Sequence, residues 1–230
     1  MLECKKLRIL NGEKELLNIQ FKLNGSLSIV GQSGSGKSLT LKAVLGLLPK
    51  NLKCDIDLKS DFELSLGKNV AFIPQNPFTA LSPMTKISKQ FFASEVKQKE
   101  CISMVGLDEG LLERFPAELS GGQLQRVIIA MAIAQNPKLL LLDEPTTALD
   151  FDMKEKIVTL LEELHKKIGF EIIFVTHELP LAKRACKECI VLKEGIIMER
   201  GASEKIFSSP ACEYTKALLN VGFENRSFRQ

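Results

Sequence analysis

A glycine-rich loop between an apolar strand and a helix limits the fold of this 230-residue chain most. The strand-like run Ser26–Val30 leads into GQSGSGKS at residues 31–38, and a helical pattern runs from Lys37 to Leu48, before Pro49. The spacing fits the phosphate-binding pattern GxxxxGK[ST]. Glycines let backbone N–H groups converge on phosphate oxygens, and the following helix directs the positive end of its dipole at the same anion. The alternative, a Gly/Ser-rich turn that binds nothing, is disfavoured by the strand before it and the helix after it.

Each residue of this loop has an expected role. Lys37 is predicted to reach the β and γ phosphates of a nucleotide, and Ser38 to place its hydroxyl on Mg²⁺. The rest of the phosphate cradle is predicted to consist of Gly31, Gln32, Ser33, Gly34, Ser35 and Gly36.

Short apolar runs without alternation recur along the chain, as expected for strands that are covered on both faces of a parallel sheet. They are Ser26–Val30, Val70–Ile73, Leu139–Leu142, Ile172–Val175 and, last, Ile190–Leu192. Helical patterns lie between them, at Lys37–Leu48, Gln123–Ala134 and Asp152–Lys167. The order predicts an α/β fold with a P-loop core and a mainly parallel sheet.

Two stretches depart from that rhythm. Alternating apolar residues from Ile56 to Leu66 predict a small antiparallel β element at about residues 54–68. Residues 82–118 read as helical without strands and predict a helical subdomain, about 82–136, inserted into a core of residues 1–81 and 137–230 of one domain. Glu194-Gly195 predicts a hairpin turn.

Composition excludes several classes of protein. Hydrophobic residues make up 45% and charged residues 26%, which are ordinary globular values. A net charge of +3 is too small to indicate nucleic acid or an anionic membrane as partner. No run approaches the roughly 20 apolar residues of a membrane span, and charges near the N-terminus argue against an export signal. We therefore expect a cytoplasmic protein.

The six cysteines are scattered, which favours reduced thiols over a disulfide framework. Only Cys186 and Cys189 form a CxxC pair, and no second pair or nearby histidine completes a zinc site. Two buried thiols are the favoured interpretation.

A second strand supplies carboxylates. Four consecutive leucines from Leu139 lead into Asp143 and Glu144, so both acids are expected at the carboxyl edge of the sheet, beside the P-loop. Asp143 can hold the Mg²⁺ shell. Glu144 can accept a proton from, or orient, a water in line with the γ-phosphate.

A second anion site is predicted where a long apolar helix begins. The residues Ser120, Gly121, Gly122 and Gln123 form a nest of backbone N–H groups there. Because one nucleotide needs one cradle, a second phosphate-binding helix start in the same chain suggests a nucleotide shared between two chains.

With these motifs in order, the sequence resembles the ATP-binding-cassette ATPases over essentially its whole length. The resemblance implies that Gln75 is the Q-loop glutamine, which contacts Mg²⁺ and moves with the membrane partner. It also implies that Ala148-Leu149-Asp150 is the D-loop, with Asp150 contacting the opposite nucleotide site, and that His177 is the switch histidine on the γ-phosphate.

The sequence departs from the family at the adenine. Members usually carry an aromatic residue in the N-terminal strand, whereas the stretch here is Leu7–Asn11 and the one tyrosine is Tyr214. We therefore expect weakened discrimination between bases. Residues 38–75 also look abbreviated for the family.

Two segments resemble the peptide and nickel importer branch: the Pro-rich stretch Pro74–Pro83, with Ser82 in place of the usual Asn, and the tail Pro210–Leu219. That branch implies ATP and Mg²⁺, a second ATPase subunit (a paralogue or the chain itself), two integral membrane permeases, an extracytoplasmic solute-binding protein, and a peripheral position on the cytoplasmic face of the membrane. Four apolar residues are candidate anchors for a permease helix or core residues of the helical insert: Phe78, Leu81, Met84 and Ile87.

Other readings stay open at this point. A soluble cassette ATPase of an assembly system, such as iron–sulfur cluster biogenesis, shares the catalytic motifs, but the Pro-rich stretch and the tail favour the importer. A DNA-repair or chromosome-organising ATPase needs a long insertion, for which the chain has no room. The sequence does not separate peptide from nickel.

Overall fold

The computed structural model describes residues 1–147 and 149–227, with side chains as far as residue 220. Two compact units are distinguished: Met1–Leu64 together with the chain from Glu171 onward, and Ser65–Phe170. The predicted boundaries of the helical subdomain, at about residues 82 and 136, stay a prediction.

The first unit begins with an antiparallel sheet in the order β2-β1-β4, formed by β1 (Leu2–Asn11), β2 (Lys14–Leu23) and β4 (Leu52–Ser60). The alternating pattern predicts a strand up to Leu66, but the strand ends at Ser60. The Ser60 hydroxyl accepts the N–H of Phe62 at 3.2 Å, a side-chain turn that ends the strand.

The sheet extends well beyond the predicted element, because β1 and β2 contribute twenty residues to it. Strand β2 carries its own signal. Leu17, Ile19, Phe21 and Leu23 are buried at every second position, the pattern of a strand with one face on a core.

The same unit contains β3 (Ser26–Val30), which pairs in parallel with β7 (Glu171–Thr176) and β8 (Glu188–Lys193). Strand β9 (Ile196–Ala202) runs antiparallel to β8. The predicted hairpin between them is confirmed. Glu194 and Gly195 have φ of 47° and 81°, the pair of positive values that a two-residue type I′ turn requires.

Four helices accompany these strands: α1 (Lys37–Val44), α6 (Leu179–Ala185), α7 (Ser203–Ser208) and α8 (Glu213–Ser227). Helix α1 ends at Val44, so the prediction that it continues to Leu48 is wrong. Gly46, at φ 67°, donates to the Ala43 carbonyl at 3.0 Å, and Leu47 donates to the Lys42 carbonyl at 2.8 Å. These two bonds form a Schellman motif, which ends the helix before Pro49 can.

The second unit contains the parallel pair β5 (Val70–Ile73) and β6 (Leu139–Asp143). Its helices are α2 (Ile87–Gln90), α3 (Glu95–Met104), α4 (Gly121–Ala134) and α5 (Phe151–Ile168), and three single 3₁₀ turns lie at Pro77–Thr79, Glu109–Glu113 and Pro116–Glu118. The parallel strands and the strand-free stretch after residue 82 confirm the predicted α/β class. Over the described parts of the chain, no helix is both long and apolar enough to cross a membrane.

Candidate nucleotide-binding and hydrolysis site

The phosphate loop connects β3 to α1 and is packed so closely that its first glycine is required. A Cβ atom on Gly31 would lie 2.3 Å from the carbonyl oxygen of Leu192 on β8. Gly36, the N-cap of α1, has φ 106°, and its Cβ would lie 2.8 Å from a methyl group of Leu17. Side chains are thus excluded at two positions of the loop that is predicted to bind phosphate.

Lys37 folds back onto this loop. Its side chain is 5% exposed, and Nζ donates to the carbonyl oxygens of Gly31 at 2.9 Å and Gln32 at 3.0 Å. The buried hydroxyl of Ser35 has no hydrogen-bond partner within the described residues. A buried ammonium and an unsatisfied buried hydroxyl on one loop fit an anionic, oxygen-rich ligand such as a nucleotide phosphate.

His177 emerges at the same sheet edge as the loop. Val30 at the end of β3 pairs with Thr176 at the end of β7, so the next residues along the two strands, Gly31 and His177, leave the sheet side by side. The His177 side chain is exposed. The Thr176 hydroxyl accepts the N–H of Glu178 at 2.9 Å and shapes the turn that carries the histidine.

In the second unit, the parallel pairing of β5 and β6 brings together two residues that were predicted to belong to the site. Ile73 pairs with Leu142, and Gln75 and Glu144 follow at the same edge. The Gln75 amide Nε2 donates to Glu144 Oε2 at 3.3 Å. Asp143, the last residue of β6, is 7% exposed. A nearly buried carboxylate, that of Asp143, thus precedes the Glu144 carboxylate, which accepts a hydrogen bond from Gln75.

Thr147 is a residue of this edge that the sequence pattern places in the turn after Glu144 but that was not predicted to be a site residue. Glu144 has φ 46°, which is uncommon for a residue with a side chain. The Thr147 N–H donates to the Glu144 carbonyl at 3.2 Å, and the Thr147 hydroxyl donates to Glu144 Oε2 at 3.0 Å. The available signal was a hydroxyl residue three positions after the carboxylate, the separation that closes a turn.

The predicted anion nest at the start of α4 is built as a capping box. The Ser120 hydroxyl accepts the N–H of Gln123 at 3.2 Å, and the Gln123 Oε1 accepts the N–H of Ser120 at 3.0 Å. This S-x-x-Q pattern fixes the first turn of the helix. Gly122 lies against α5, where a Cβ would come 2.9 Å from atoms of the Met153 side chain.

Asp150 has a structural role at the start of α5. Its Oδ1 accepts the N–H of Met153 at 2.9 Å, which makes it the N-cap of an 18-residue helix. Ala148, the first residue of the predicted D-loop, lies outside the described residues.

The four candidate anchors for a membrane partner differ in how much of each side chain is exposed to solvent. Ile87 is fully buried, so it is a core residue of its unit and not an anchor. Met84 is 85% exposed and Phe78 53% exposed, and Leu81 is intermediate. Phe92, which the sequence analysis did not name as an anchor, is 92% exposed.

The stretch expected to lie near the adenine presents little to stack on. Leu7 and Ile9 are fully buried, facing the core of the antiparallel sheet. Arg8 lies between them on the other face and pairs with Glu15 of β2. The exposed residues of this stretch, Arg8 and Asn11, are polar, and Leu10 is half-buried.

The CxxC cysteines are both in the core and reduced. Burial raises the pKa of the Cys189 thiol to about 12 and that of Cys186 well above its ordinary value. Because the thiolate is the reactive and metal-binding form, these residues favour the interpretation of inert core thiols.

A glycine loop with a buried lysine between strand and helix, on a mainly parallel sheet, defines a P-loop nucleotide-binding protein. The family model described as ABC transporter matches residues 15–147. The chain therefore belongs to the ABC transporter family, as one of its ATP-binding subunits, and it is an ATPase.

Curated relatives align over nearly the whole chain. The oligopeptide transport ATP-binding protein OppD of Bacillus subtilis is 37% identical, and the match covers 95% of this chain and 71% of that protein. The dipeptide transport ATP-binding protein DppD of Haemophilus influenzae is 36% identical, with 95% and 76% covered.

Solved structures share the fold. The ATP-binding cassette MJ0796, in a dimeric post-hydrolysis state bound to ADP and Pi, is 28% identical with a TM-score of 0.73, over 88% of this chain and 99% of that one. The cbiO1 protein of Clostridium perfringens has a TM-score of 0.76 at 24% identity, covering 98% of both chains, and is compared for fold alone.

Proposed function

We propose that this chain is the ATP-hydrolysing subunit of a peptide importer. Relatives aligned over 95% of the chain carry the names oligopeptide and dipeptide transport ATP-binding protein, which supports peptide over nickel as the solute. The relatives described above are named for transport, which supports the importer over an iron–sulfur assembly ATPase.

The observation that carries the mechanism is the presence in one chain of two helix starts whose sequences are of the kind that binds phosphate. The P-loop precedes α1, and the capping box of Ser120 begins α4. We propose that ATP is bound between the P-loop of one ATPase chain and the Ser120–Gln123 nest of a second, which is a paralogue or a copy of this chain. A dimeric relative bound to ADP and Pi supports this arrangement.

Each site residue has a proposed role in phosphoryl transfer to water. Lys37 stabilises the negative charge of the β and γ phosphates, and His177 contacts the γ-phosphate. Glu144 accepts a proton from, or orients, the attacking water, and Gln75 positions the Glu144 carboxylate. Asp150 contacts the opposite nucleotide site.

Mg²⁺ is proposed to be held by Ser38, Gln75 and Asp143. All three offer oxygen donors, which this hard cation prefers, and Mg²⁺ is commonly bound by one carboxylate together with substrate phosphates. When bound, it neutralises charge that develops on the phosphate oxygens.

The partners are proposed to be two membrane permeases and, indirectly, an extracytoplasmic solute-binding protein. Exposed apolar residues give the permease a place to dock: Phe78, Met84 and Phe92 project between 53% and 92% of their area into solvent. Such side chains are suited to contact an apolar helix face. The subunit would then lie peripherally on the cytoplasmic face of the membrane.

The test uses a tagged chain with Glu144→Gln, which keeps the size of the side chain but removes its charge. We expect this variant to bind ATP, to lose turnover and to remain in the closed dimer. It is isolated from gently solubilised native membranes with ATP present, and the co-purifying proteins are identified by mass spectrometry. Two permeases and a second ATPase subunit are the expected result.

The control is the same isolation with Lys37→Ala, which should not close on ATP and should recover less of the second ATPase subunit. Recovery of soluble scaffold proteins without permeases would favour the assembly-type ATPase. Normal turnover by Glu144→Gln would contradict the role given to Glu144.

A further inference from the structure

The carboxylate of Glu144 is held from within its own turn. Glu144 leaves β6 with φ 46°, so its backbone is in a region that residues with side chains seldom adopt. Pro145 follows and restricts it further. A catalytic carboxylate in such a position needs local contacts to fix where it points.

Thr147 provides two of these contacts at once. Its N–H bonds the Glu144 carbonyl at 3.2 Å and closes the turn. Its hydroxyl bonds Glu144 Oε2 at 3.0 Å and fixes the end of the side chain. The backbone and the carboxylate of Glu144 are therefore both held by a residue of the same four-residue turn.

A second donor to this oxygen, Gln75, is of a different kind. Gln75 approaches Glu144 Oε2 at 3.3 Å from a segment that follows β5, 69 residues earlier in the chain. A contact between separate segments can open when either moves. The Thr147 contact is local, so it accompanies Glu144 whenever the turn is intact.

We propose that the Thr147 hydroxyl is a positioning group for Glu144 in ATP hydrolysis, one that keeps the carboxylate in place independently of Gln75. This inference rests on the proposed function, in which Glu144 acts on the attacking water. Thr147 does not touch the substrate. Since a carboxylate displaced by about 1 Å can lose about 100-fold in rate, even a single hydrogen bond of this kind matters.

The experiment compares Thr147→Val, which keeps the branched shape but removes the hydroxyl, with Thr147→Ser, which keeps the hydroxyl. Steady-state ATP hydrolysis is measured on the tagged chain with the proteins that co-purify with it. We expect Thr147→Val to lower kcat at least about 10-fold with KM for ATP within about twofold of wild type. Thr147→Ser should stay within about threefold in kcat.

A double mutant separates positioning from a general structural effect. In a Glu144→Gln background, Thr147→Val should cause no further loss of the residual turnover, because the group that it positions is already disabled. Thr159→Val is the matched control, since Thr159 on α5 bonds the Glu155 carbonyl at 3.0 Å and lies away from the turn. Its kcat should equal that of wild type.

Thr147 is exposed, so its variants are expected to fold, and thermal melting of each variant checks this. Equal losses in Thr147→Val and Thr147→Ser, or a kcat of Thr147→Val equal to wild type while Glu144→Gln is inactive, would overturn the positioning role alone. Turnover retained by Glu144→Gln would instead overturn the proposed role of Glu144.

Discussion

The ammonium group of Lys37 lies 2.9 Å from the carbonyl oxygen of Gly31, the first residue of the phosphate loop. The positive charge of Lys37 is thus held inside its own loop, where Nζ also donates to the Gln32 carbonyl oxygen. A charged donor already desolvated at the site needs little reorganisation to exchange a carbonyl for a phosphate oxygen.

Lys37→Ala is therefore expected to weaken ATP binding at least about 10-fold, because hydrogen bonds to charged groups contribute about 1.5–3 kcal/mol. Isothermal titration of the purified chain with ATP measures the change. Lys42→Ala is the matched control, since Lys42 lies exposed on the same helix. Unchanged affinity in Lys37→Ala would contradict the role of this lysine in phosphate binding.

The sequence predicted those parts of the fold and of the candidate site that depend on local pattern. The apolar runs that form β3 and β6 are buried at every position, and their length of five residues suits a strand better than a helix. The pairing of the strand ends places Gln75 beside Glu144, a contact that was not predicted.

The features that could not be predicted from the sequence depend on contacts between residues that no sequence pattern connects. Ile87 looks like Met84 in the sequence, but the fold buries the first and exposes the second. Helix α1 ends at the Schellman motif of Gly46, a single glycine that competes with the more obvious Pro49. The hydrogen bonds of Thr147 to Glu144 form in a turn with φ 46° at Glu144, and the apolar pattern of the sequence does not predict that angle.

Base discrimination is expected to be weak. Leu7 and Ile9 of β1 are buried, Arg8 is paired with Glu15, and the stretch Leu7–Asn11 contains no aromatic residue to stack on adenine. Aromatic stacking contributes about 1–3 kcal/mol per base, and both purines lose it equally here. Competition of GTP against a labelled ATP analogue should give affinities within about 10-fold of each other, whereas a strong preference for ATP would show that another group reads the base.

Two substitutions should distinguish the role of Asp150 as a helix N-cap from a role of its negative charge in ATP hydrolysis. Asp150→Ala removes the N-cap of α5 and is expected to cost about 1 kcal/mol, or about 2–4 °C in melting temperature. Asp150→Asn keeps a good capping residue and should melt near wild type. If Asp150 also contacts the opposite nucleotide site, Asp150→Asn lowers ATPase activity at unchanged stability; wild-type activity in Asp150→Asn would leave capping as its sole role.

Glu199 on β9 is expected to make the stability of the C-terminal helix depend on pH. Its carboxylate accepts the N–H groups of Ala211 at 2.9 Å and Cys212 at 3.2 Å, just before α8 begins. Helix α8 contributes Leu219 to a core cluster that includes Val30, at the start of the P-loop. Burial opposes the charge of Glu199, but the Thr215 side chain and these two N–H groups outweigh it and lower the pKa of the carboxyl group.

A lowered pKa in the folded state means that the stabilisation is present above the unfolded value, about 4.3, and is lost as the pH falls through the folded value. Glu199→Gln should therefore melt below wild type at pH 7, and the difference should shrink as the pH approaches 4 and falls below it. Thermal melting between pH 3 and 7 measures this, with Glu204→Gln on α7 as the exposed control. A difference that stays constant over this range would mean that shape, and not the charge of Glu199, anchors the helix.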